Sequence, residues 1–224
     1  MPKYSLVIPC FNEEKNLPHL ISNCEIFENK DNWEIILVDN GSTDNSTHVL
    51  NELLKNKKNI TSIKLNKNIG YGDGITKGLQ KASGDFIGWC HADLQTDPKD
   101  ALQVEKIFSA QYNSYVKGKR YGRPLFDIFF TFCMSIFETI LLKKVLFDIN
   151  AQPNFFPKSF FNELNDMPAD FSLDLFIYYH AKKKGLKVVR FPVKFGDRLY
   201  GKSHWNLDFS SKLKFIKRTV SYSL

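Results

Sequence analysis

The chain has 224 residues, of which 43% are hydrophobic and 25% charged, so it suits one globular domain and is too apolar for a disordered protein. Its 31 Lys and Arg against 24 Asp and Glu give a net charge of +7. Four scattered cysteines without a CxxC pair exclude a disulfide framework and indicate reduced thiols in a cytoplasmic protein. The first apolar run predicts a strand and not a signal peptide.

The charge is distributed unevenly along the chain. Residues 180–224 hold twelve Lys or Arg and two Asp, a local net charge of +10, whereas the rest of the chain has a net charge of −3. Such a basic segment suits an anionic membrane surface, a nucleic acid or a phosphate-rich ligand. A solvated helix face explains the same composition equally well.

The first hundred residues alternate strands and helices. Strands are predicted at Tyr4–Pro9, Trp33–Asp39, Ile60–Leu65 and Asp85–Cys90. Helices are predicted at Asn16–Phe27, from a cap at Ser42 or Thr43 to about Lys55, and at Gly70–Ala82. This alternation requires parallel strands with right-handed crossovers, so the fold class is α/β, with a mostly parallel, Rossmann-like sheet flanked by helices.

A very apolar helix is predicted at Leu125–Leu142. Its polar residues Asp127, Thr131, Ser135 and Glu138 are spaced four, four and three apart, so they form one narrow stripe. Two acids within the span argue against a transmembrane helix. Two alternatives follow: a core helix, or a helix that lies in the membrane interface and presents phenylalanines to lipid.

The last third continues with a helix, a strand and a second helix. The first two are predicted at Phe171–Gly185 and Leu186–Val193. Asp208–Val220 has an apolar stripe beside several lysines and an arginine, which predicts a short basic amphipathic helix. This composition is typical of a segment at a membrane surface.

Polar residues follow three of the predicted strands, where open parallel sheets bind ligands. Asp39 ends the second strand and can either accept a hydrogen bond from a nucleotide or cap the next turn. After the fourth strand, His91, Asp93 and Gln95 alternate, so their side chains can face one point. Carboxylate and amide oxygens suit Mg²⁺ or Mn²⁺, and imidazole moves the preference toward Mn²⁺.

Two further patterns carry polar or cationic residues. Asn68-x-Gly70-x-Gly72-x-Gly74 differs from the known phosphate-binding loops, so a tight strand-to-helix connection is favoured over a phosphate cradle. The clusters Lys119-Arg120-x-x-Arg123 and Arg198-x-x-x-Lys202 are either solvated charge or grips for phosphate.

Four motifs in order resemble family 2 glycosyltransferases with the GT-A fold, in particular the dolichyl- or polyprenyl-phosphate mannosyl- or glucosyltransferases. They are VIPCFNEEKNL, ILVDNGSTDNS, NIGYGDGITKGLQKASGDFIGWCHADLQTDP and FPVKFGDRLYGKSHW. The resemblance implies a GT-A domain over residues 1–206, with a nucleotide-binding half at 1–100 and an acceptor half at 101–206. A basic amphipathic tail follows at 207–224.

The resemblance also implies roles for individual residues. The nucleotide is expected to contact Pro9, Phe11, Glu13, Asp39, Asp93, Arg198 and Lys202. The metal, Mn²⁺ or Mg²⁺, is expected at Asp93, Gln95 and His91. The acceptor is expected at Arg120, Arg123 and Gln152, and the catalytic residues are Asp174, Asp93 and Arg198.

The expected function is an inverting, metal-dependent sugar transfer from a UDP- or GDP-linked donor. The acceptor is polyprenyl phosphate, or a lipid-linked or cell-envelope glycan, and the protein is peripheral on the cytoplasmic face of the membrane. One alternative is a nucleotide-sugar-binding module without turnover, suggested by His91 where the family usually has an acid. A nucleic-acid binder using the basic tail is not expected, because no recognition motif is present. A membrane-protein partner is compatible with the apolar helix.

Overall fold

The computed structural model describes residues 3–201. Its seven strands are β1 Tyr4–Cys10, β2 Trp33–Asp39, β3 Ile60–Lys64, β4 Phe86–Trp89, β5 Ser114–Tyr121, β6 Asn154–Pro157 and β7 Lys187–Lys194. The α-helices are α1 Leu17–Cys24, α2 Ser46–Leu54, α3 Tyr71–Lys81, α4 Val104–Ala110, α5 Leu125–Leu142, α6 Lys158–Phe161 and α7 Leu173–Lys183. Two 3-10 helices lie at Glu25–Asn29 and Pro98–Gln103.

All seven strands form one sheet in the order β3-β2-β1-β4-β6-β5-β7. The pairs β1–β2, β2–β3, β1–β4 and β5–β7 are parallel, and β6 alone runs antiparallel to its neighbours β4 and β5. The predicted mostly parallel α/β sheet is therefore confirmed. Because β6 is antiparallel to both neighbours, the carboxyl ends of β4 and β5 lie at the same edge of the sheet as those of β1 and β2.

The hydrophobic core has two parts, one on each face of the sheet. On one face, α1 buries Leu17, Leu20, Ile21 and Cys24, the four residues that the helical spacing places on one side. On the other face, α3 and α7 pack against the strands. All four cysteines are free thiols. Burial of this apolar surface is the main stabilising contribution to the fold.

The predicted cap of α2 is wrong. The helix begins at Ser46 after Asn45, and neither Ser42 nor Thr43 caps it. The Ser42 hydroxyl instead accepts a hydrogen bond from the Asn12 backbone N–H at 3.1 Å, and the Thr43 backbone N–H donates to Asn12 Oδ1 at 2.8 Å. These two residues therefore join the loops that follow β1 and β2, and the helix starts one turn later.

The glycine-rich segment at the start of α3 serves close packing, as the sequence favours. A Cβ added at Gly70 would lie 2.2 Å from the carbonyl oxygen of Ala169, and one at Gly72 would lie 2.3 Å from that of Pro168. The Asn40 side chain donates to the Gly70 carbonyl oxygen at 2.9 Å. The glycines thus bring the loop before α7 against the first turn of α3.

The apolar helix α5 has the predicted bounds, but it turns its polar side toward the protein and its apolar side outward. Its buried residues are Ser135 and Glu138, both from the polar stripe. Leu125, Phe129 and Ile140 are 85%, 65% and 70% exposed. The alternative of a core helix is therefore wrong. Among residues 3–201, α5 is also the one helix whose length and composition would suffice to cross a bilayer.

The predictions for the carboxyl-terminal third are confirmed where the structure describes it. The helix expected at Phe171–Gly185 is α7, and the strand expected at Leu186–Val193 is β7. Lys202, the helix predicted at Asp208–Val220 and the tail at 207–224 lie outside the described residues.

Candidate active site

A cavity of about 280 Å³ lies at the carboxyl edge of the sheet. It is bounded by the loop after β4, the end of β5, the polar face of α5, the start of α7 and the loop after β7. It brings together all the predicted metal, acceptor and catalytic residues: His91, Asp93, Gln95, Arg120, Arg123, Gln152, Asp174 and Arg198. The polar stripe of α5 contributes Asp127, Thr131 and Ser135. This placement explains the burial of Ser135, whereas Glu138, the other buried residue of α5, does not line the cavity.

Asp93 and Arg198 form an ion pair in the wall of the cavity. Arg198 Nη2 lies 2.6 Å from Asp93 Oδ2, and the Gln95 backbone N–H donates to Asp93 Oδ1 at 3.2 Å. The Gln95 side chain donates to the Gly196 carbonyl oxygen at 3.2 Å, and the Gly196 N–H donates to the Gln95 carbonyl oxygen at 2.8 Å. Gln95 therefore holds the loop that carries Arg198, a role that its residue type alone does not indicate.

Arg120 and Arg123 share one buried carboxylate, that of Asp148. Arg120 Nε donates to Asp148 Oδ1 at 3.1 Å, and Arg123 Nη1 lies 3.6 Å from the same oxygen. The ring of Phe195 packs 5.2 Å and 5.7 Å from the two guanidinium carbons. Burial opposes ionisation of Asp148, but the charges of Arg120, Lys117 and Arg123 and the hydrogen bond from Arg120 together hold the pKa of this carboxyl below its usual value. The charge of Asp127, which also lines the cavity, acts on Arg123 as well.

Arg123 also contacts the polar stripe of α5. One of its terminal nitrogens donates to the Thr131 hydroxyl at 2.8 Å and to the Asp127 carbonyl oxygen at 3.1 Å. Its Nε is buried and has no hydrogen-bond partner within the part of the chain that the structure describes. A buried donor without a partner is costly, so this N–H is suited to an incoming acceptor oxygen.

Asp174 lies at the first turn of α7 and is 1% exposed. The Gln152 side chain donates to Asp174 Oδ1 at 2.9 Å and to the Tyr71 hydroxyl at 3.2 Å. Burial raises the pKa of the Asp174 carboxyl, and the nearby charges of Lys117 and His91 oppose that rise. The site therefore holds a buried carboxyl group whose ionised form is favoured by nearby cations.

His91 packs in an aromatic stack at the side of the cavity. The Tyr71 ring lies between the rings of His91 and Phe171, with centroid distances of 5.4 Å and 4.5 Å. His91 Nε2 lies 3.4 Å from the Tyr71 hydroxyl oxygen. This nitrogen is engaged with Tyr71, so any further ligand of His91 has to use Nδ1.

The residues present fit a divalent cation only in part. Over residues 3–201 there is no group of three or more His, Cys, Asp or Glu side chains that could hold a metal ion. Asp93 is the carboxylate in the predicted set, with the Gln95 amide oxygen and the His91 imidazole beside it in the cavity wall. Oxygen ligands of this kind suit a hard cation that completes its shell with oxygens from a bound molecule.

The predicted nucleotide residues of the first two strands lie outside the cavity lining. Asp39 is 1% exposed; its Oδ1 accepts from the Ser42 N–H at 2.9 Å and its Oδ2 accepts from the Thr47 hydroxyl. It therefore has the turn-forming role that the sequence allows. Phe11 is 37% exposed and Pro9 is half-buried.

Glu13 connects these residues with the cavity. Burial raises the pKa of its carboxyl, while a hydrogen bond from Asn16 and the charge of Arg198 oppose the rise. Arg198 thus acts on Asp93 in the cavity and on Glu13 at the end of β1. The two groups of predicted residues meet at this arginine.

Sequence reasoning missed three residues that shape the site: Tyr71, Lys117 and Asp148. Asp148 is 28 positions from its partner Arg120, and no local pattern links them. Lys117 lies between Val116 and Gly118 in the stretch SYVKG of β5, where it is the one charged residue, and this context is the signal that it is buried. Tyr71 stands inside the glycine motif, whose spacing drew attention to backbone and not to side chains.

The profile of glycosyl transferase family 2 matches residues 5–161 of the chain. An undecaprenyl-phosphate 4-deoxy-4-formamido-L-arabinose transferase from Proteus mirabilis is 41% identical over 123 residues, which are 53% of this chain and 36% of that protein. The protein of the same name from Pectobacterium atrosepticum is 39% identical over 112 residues, 49% of this chain and 34% of the relative. The chain thus covers about a third of the length of these relatives.

Solved structures show the same fold at low identity. Glucosyl-3-phosphoglycerate synthase from Mycobacterium tuberculosis, solved with Mn²⁺, UDP and glucosyl-3-phosphoglycerate, has a TM-score of 0.74 at 15% identity, covering 99% of this chain and 78% of that one. A mannosyltransferase from Pyrobaculum calidifontis, solved with GDP-Man and Mn²⁺, has a TM-score of 0.65 at 17% identity, covering 90% and 58%. The profile match extends over well more than half of the sequence, and the chain belongs to glycosyl transferase family 2.

Proposed function

We propose that the protein transfers a sugar from a nucleotide-diphosphate sugar to polyprenyl phosphate. The observation that carries this proposal is the single cavity in which Asp93 and Arg198 face Arg120, Arg123 and Asp174. The first pair suits a donor diphosphate, and the two other arginines suit an anionic acceptor. The relatives named for undecaprenyl-phosphate transfer and the neighbours solved with UDP or GDP-Man support the same assignment.

On the donor side, we place the nucleoside at the ends of β1 and β2, against Pro9, Phe11, Glu13 and Asp39. The diphosphate then lies at Arg198, where these residues meet the cavity. Arg198 is only partly exposed and its Nε is buried without a partner in residues 3–201, so it has a donor ready for a phosphate oxygen. Lys202 follows shortly after in the sequence and is proposed to contact the same diphosphate.

A divalent cation, Mn²⁺ or Mg²⁺, would be held by Asp93, with Gln95 and His91 beside it. When bound, such an ion neutralises negative charge on the leaving diphosphate. The Mn²⁺ bound in the structural neighbours supports a divalent metal. A cation that binds Asp93 Oδ2 would displace Arg198 from this oxygen and free its guanidinium for the donor diphosphate.

On the acceptor side, the two guanidinium groups of Arg120 and Arg123 favour an anion. Arg120 and Arg123 both line the cavity and share the Asp148 carboxylate, and the Arg123 Nε–H has no hydrogen-bond partner in residues 3–201, so these arginines can donate to a phosphate. A phosphate oxygen is already ionised and needs no strong base. It attacks the anomeric carbon from the face opposite the diphosphate, the bond from that carbon to the diphosphate oxygen breaks, and the configuration inverts.

A second candidate is transfer to a sugar hydroxyl of a lipid-linked or cell-envelope glycan. The observation in its favour is Asp174, whose pKa is raised by burial and which lines the same cavity. A carboxylate of raised pKa is a better general base, and a hydroxyl acceptor requires one. Asp174→Asn separates the candidates, because it should abolish transfer to a hydroxyl and leave a substantial rate to a phosphate.

The orientation of α5 supports a site at a membrane surface. Its polar stripe lines the cavity while its outer face exposes large apolar side chains, so the acceptor phosphate would lie beneath a helix that contacts lipid. Lys143 and Lys144 follow the helix and can contact anionic head groups. We propose peripheral association with the cytoplasmic face of the membrane, with a membrane-protein partner as the alternative occupant of this helix face.

The test is a transfer assay with a panel of nucleotide sugars, Mn²⁺ or Mg²⁺, and polyprenyl phosphate or the matching polyprenol. We expect lipid-linked sugar from the phosphate and none from the alcohol. Arg123→Met should raise KM for the lipid phosphate about tenfold or more, because it removes a charge-assisted hydrogen bond. Lys119→Met, from the same sequence cluster but on an exposed position, is the matched control and should leave KM unchanged. Donor binding without turnover would support the binding-module alternative instead.

A further inference from the structure

Lys117 is fully buried in β5 and does not line the cavity. Its ammonium nitrogen donates to the carbonyl oxygens of Ile149 at 2.5 Å and Ala151 at 2.8 Å, and to Asn154 Oδ1 at 2.9 Å. All three neighbours are acceptors, and only the ammonium form of lysine has three N–H donors. The geometry therefore favours a charged Lys117 in the interior of the sheet.

This donor-only group, together with the Tyr115 hydroxyl that donates to the same Asn154 Oδ1, favours one direction for the hydrogen bonds between it and the cavity. Because Asn154 Oδ1 faces Lys117, its amide nitrogen faces Gln152 and donates to Gln152 Oε1 at 3.1 Å. Gln152 therefore turns its own amide nitrogen outward, toward Asp174 Oδ1 at 2.9 Å and the Tyr71 hydroxyl at 3.2 Å. With Lys117 replaced by an acceptor, both amides could reverse, and Gln152 would then present an oxygen to Asp174.

We propose that Lys117 is a positioning residue that acts through Asn154 and Gln152 to keep Asp174 ionised and fixed in orientation in the active-site cavity. The role of Asp174 in sugar transfer rests on the proposed function, but its charge and orientation do not. Charge and hydrogen bonding act in the same direction, because a cation and a chain of donors both stabilise a carboxylate.

The charged surroundings of Lys117 are consistent with this role. Burial lowers the pKa of Lys117 to about 7, and Asp174 is the strongest influence in the other direction. Asp148 also favours the ammonium form, whereas Arg190 and Arg120 oppose it. The rings of Tyr115 and Tyr178 lie 6.0 Å and 5.5 Å from the ammonium nitrogen. After burial, the charges of Lys117 and Asp174 are thus each the largest influence on the pKa of the other.

The test is the titration of Asp174 in the full chain, followed by carbon-13 NMR of labelled aspartate carboxyls and assigned with Asp174→Asn. In Lys117→Met we expect the Asp174 midpoint to rise by about one pH unit or more. Tyr115→Phe is the matched control: the Tyr115 hydroxyl donates to the same Asn154 Oδ1 at 2.9 Å, but its loss leaves Lys117 in place to direct the chain. Its Asp174 midpoint should not move.

An Asp174 midpoint that is the same in folded Lys117→Met and in the unmodified protein would overturn the proposal. If Lys117→Met does not fold, Lys117→Gln provides the same test, because its amide can still donate to the Ile149 and Ala151 carbonyl oxygens. Transfer to a hydroxyl acceptor against pH is a second readout, because Asp174 is the proposed base of that reaction and the acid limb should move upward with the Asp174 midpoint. The NMR result stands even if no transfer is found, so failure of this inference is distinguishable from failure of the proposed function.

Discussion

The two halves of the chain place polar and apolar residues by different rules. In the half built from β1 to β4, helices α1 and α3 turn apolar or small residues to the sheet and polar residues to water. In the other half, α5 turns Ser135 and Glu138 inward and phenylalanines outward, while Lys117 and Asp148 are buried. In the first half, apolar residues face the core and polar residues face water. In the second half, polar residues surround a cavity, and apolar residues form part of the outer surface. The ion pair between Asp93, which follows β4, and Arg198, which follows β7, joins the two halves.

The largest effect is expected at this ion pair. Asp93→Ala should lower the transfer rate on the order of a thousandfold, because it removes the carboxylate of the predicted metal set and the partner of Arg198. The measurement is initial rate with Mn²⁺, alongside thermal unfolding. Asp93→Asn, which keeps the shape, should lose nearly as much. Near-normal metal-dependent transfer by either variant would contradict the assignment.

In the first half, a change in packing should cost stability first. A Cβ at Gly78 on α3 would lie 2.3 Å from Val7 Cγ1 and 2.8 Å from Val38 Cγ2. Gly78→Val should therefore lower the free energy of unfolding by about 3 kcal/mol through overpacking, measured by chemical denaturation. Lys81→Val puts the same side chain on an exposed position of α3 and should cost only about 0.5 kcal/mol. Equal costs would show that helix propensity, not packing, explains the first result.

In the second half, removing exposed apolar side chains should cost membrane binding and not stability. Phe129→Ser with Ile140→Ser should weaken binding to anionic vesicles about tenfold or more, because each large apolar side chain contributes up to about 2 kcal/mol when fully buried and less when it enters the membrane interface only in part. Flotation across a salt series measures this, and the melting temperature should stay the same. Ile26→Ser with Leu53→Ser is the control, since these exposed residues lie outside α5. Loss of stability instead would identify α5 as packed against another part of the protein or a partner.

A smaller effect is expected from Arg198 itself. Because its ion pair with Asp93 competes with a cation, Arg198→Ala should raise the affinity for Mn²⁺ without nucleotide about fivefold, as for a partly exposed pair worth about 1 kcal/mol. Electron paramagnetic resonance of free Mn²⁺ measures the affinity, and the transfer rate should fall in the same variant. Arg198→Lys keeps a positive charge near Asp93 and should show less of the gain. Unchanged Mn²⁺ affinity in Arg198→Ala would mean that the metal does not use Asp93 Oδ2.

The smallest effect concerns Asp100, where burial and then the charge of Asp97 raise the pKa from 3.8 to about 6. The folded state therefore binds the proton of the Asp100 carboxyl more tightly than the unfolded state does. The free energy of unfolding falls as the pH rises from 3.8 to about 6. Because the side chain is partly exposed, we discount the shift and expect Asp100→Asn to add about 1 kcal/mol at pH 7.5. At pH 4 it should add nothing. Denaturation at both values tests the sign.

Hydrophobic periodicity predicted most of the strands and helices, because each of them is specified by residues that are close together in the sequence. The bounds of Trp33–Asp39 and Leu125–Leu142 agree with the structure to the residue. Periodicity could not show which side of α5 faces the protein, since that depends on a cavity formed by distant segments. The cap of α2 was wrong for a similar reason: Ser42 and Thr43 bind Asn12, a residue from another loop.

The candidate site also contains residues that the sequence predicted and residues that it did not. Residues in motifs at strand ends, such as Asp93, or carried over from the family, such as Asp174, were predicted to share one site, and the structure places them in one cavity. Their partners were not predicted, because Asp148 and Lys117 contribute through contacts with residues far along the chain. Gln95 was predicted as a metal ligand, and the structure adds its hydrogen bond to the Arg198 loop.

The close approach of Gly70 and Gly72 to the carbonyl oxygens of Ala169 and Pro168 has a consequence for assembly. These contacts join segments roughly a hundred residues apart, and the entropy of closing such a long loop makes them late contacts in folding. The first turn of α3, which carries Tyr71, can take its final position only once the segment leading into α7 has arrived. The nascent amino-terminal half can therefore form its strands early, while the cavity takes shape only after α7 has left the ribosome.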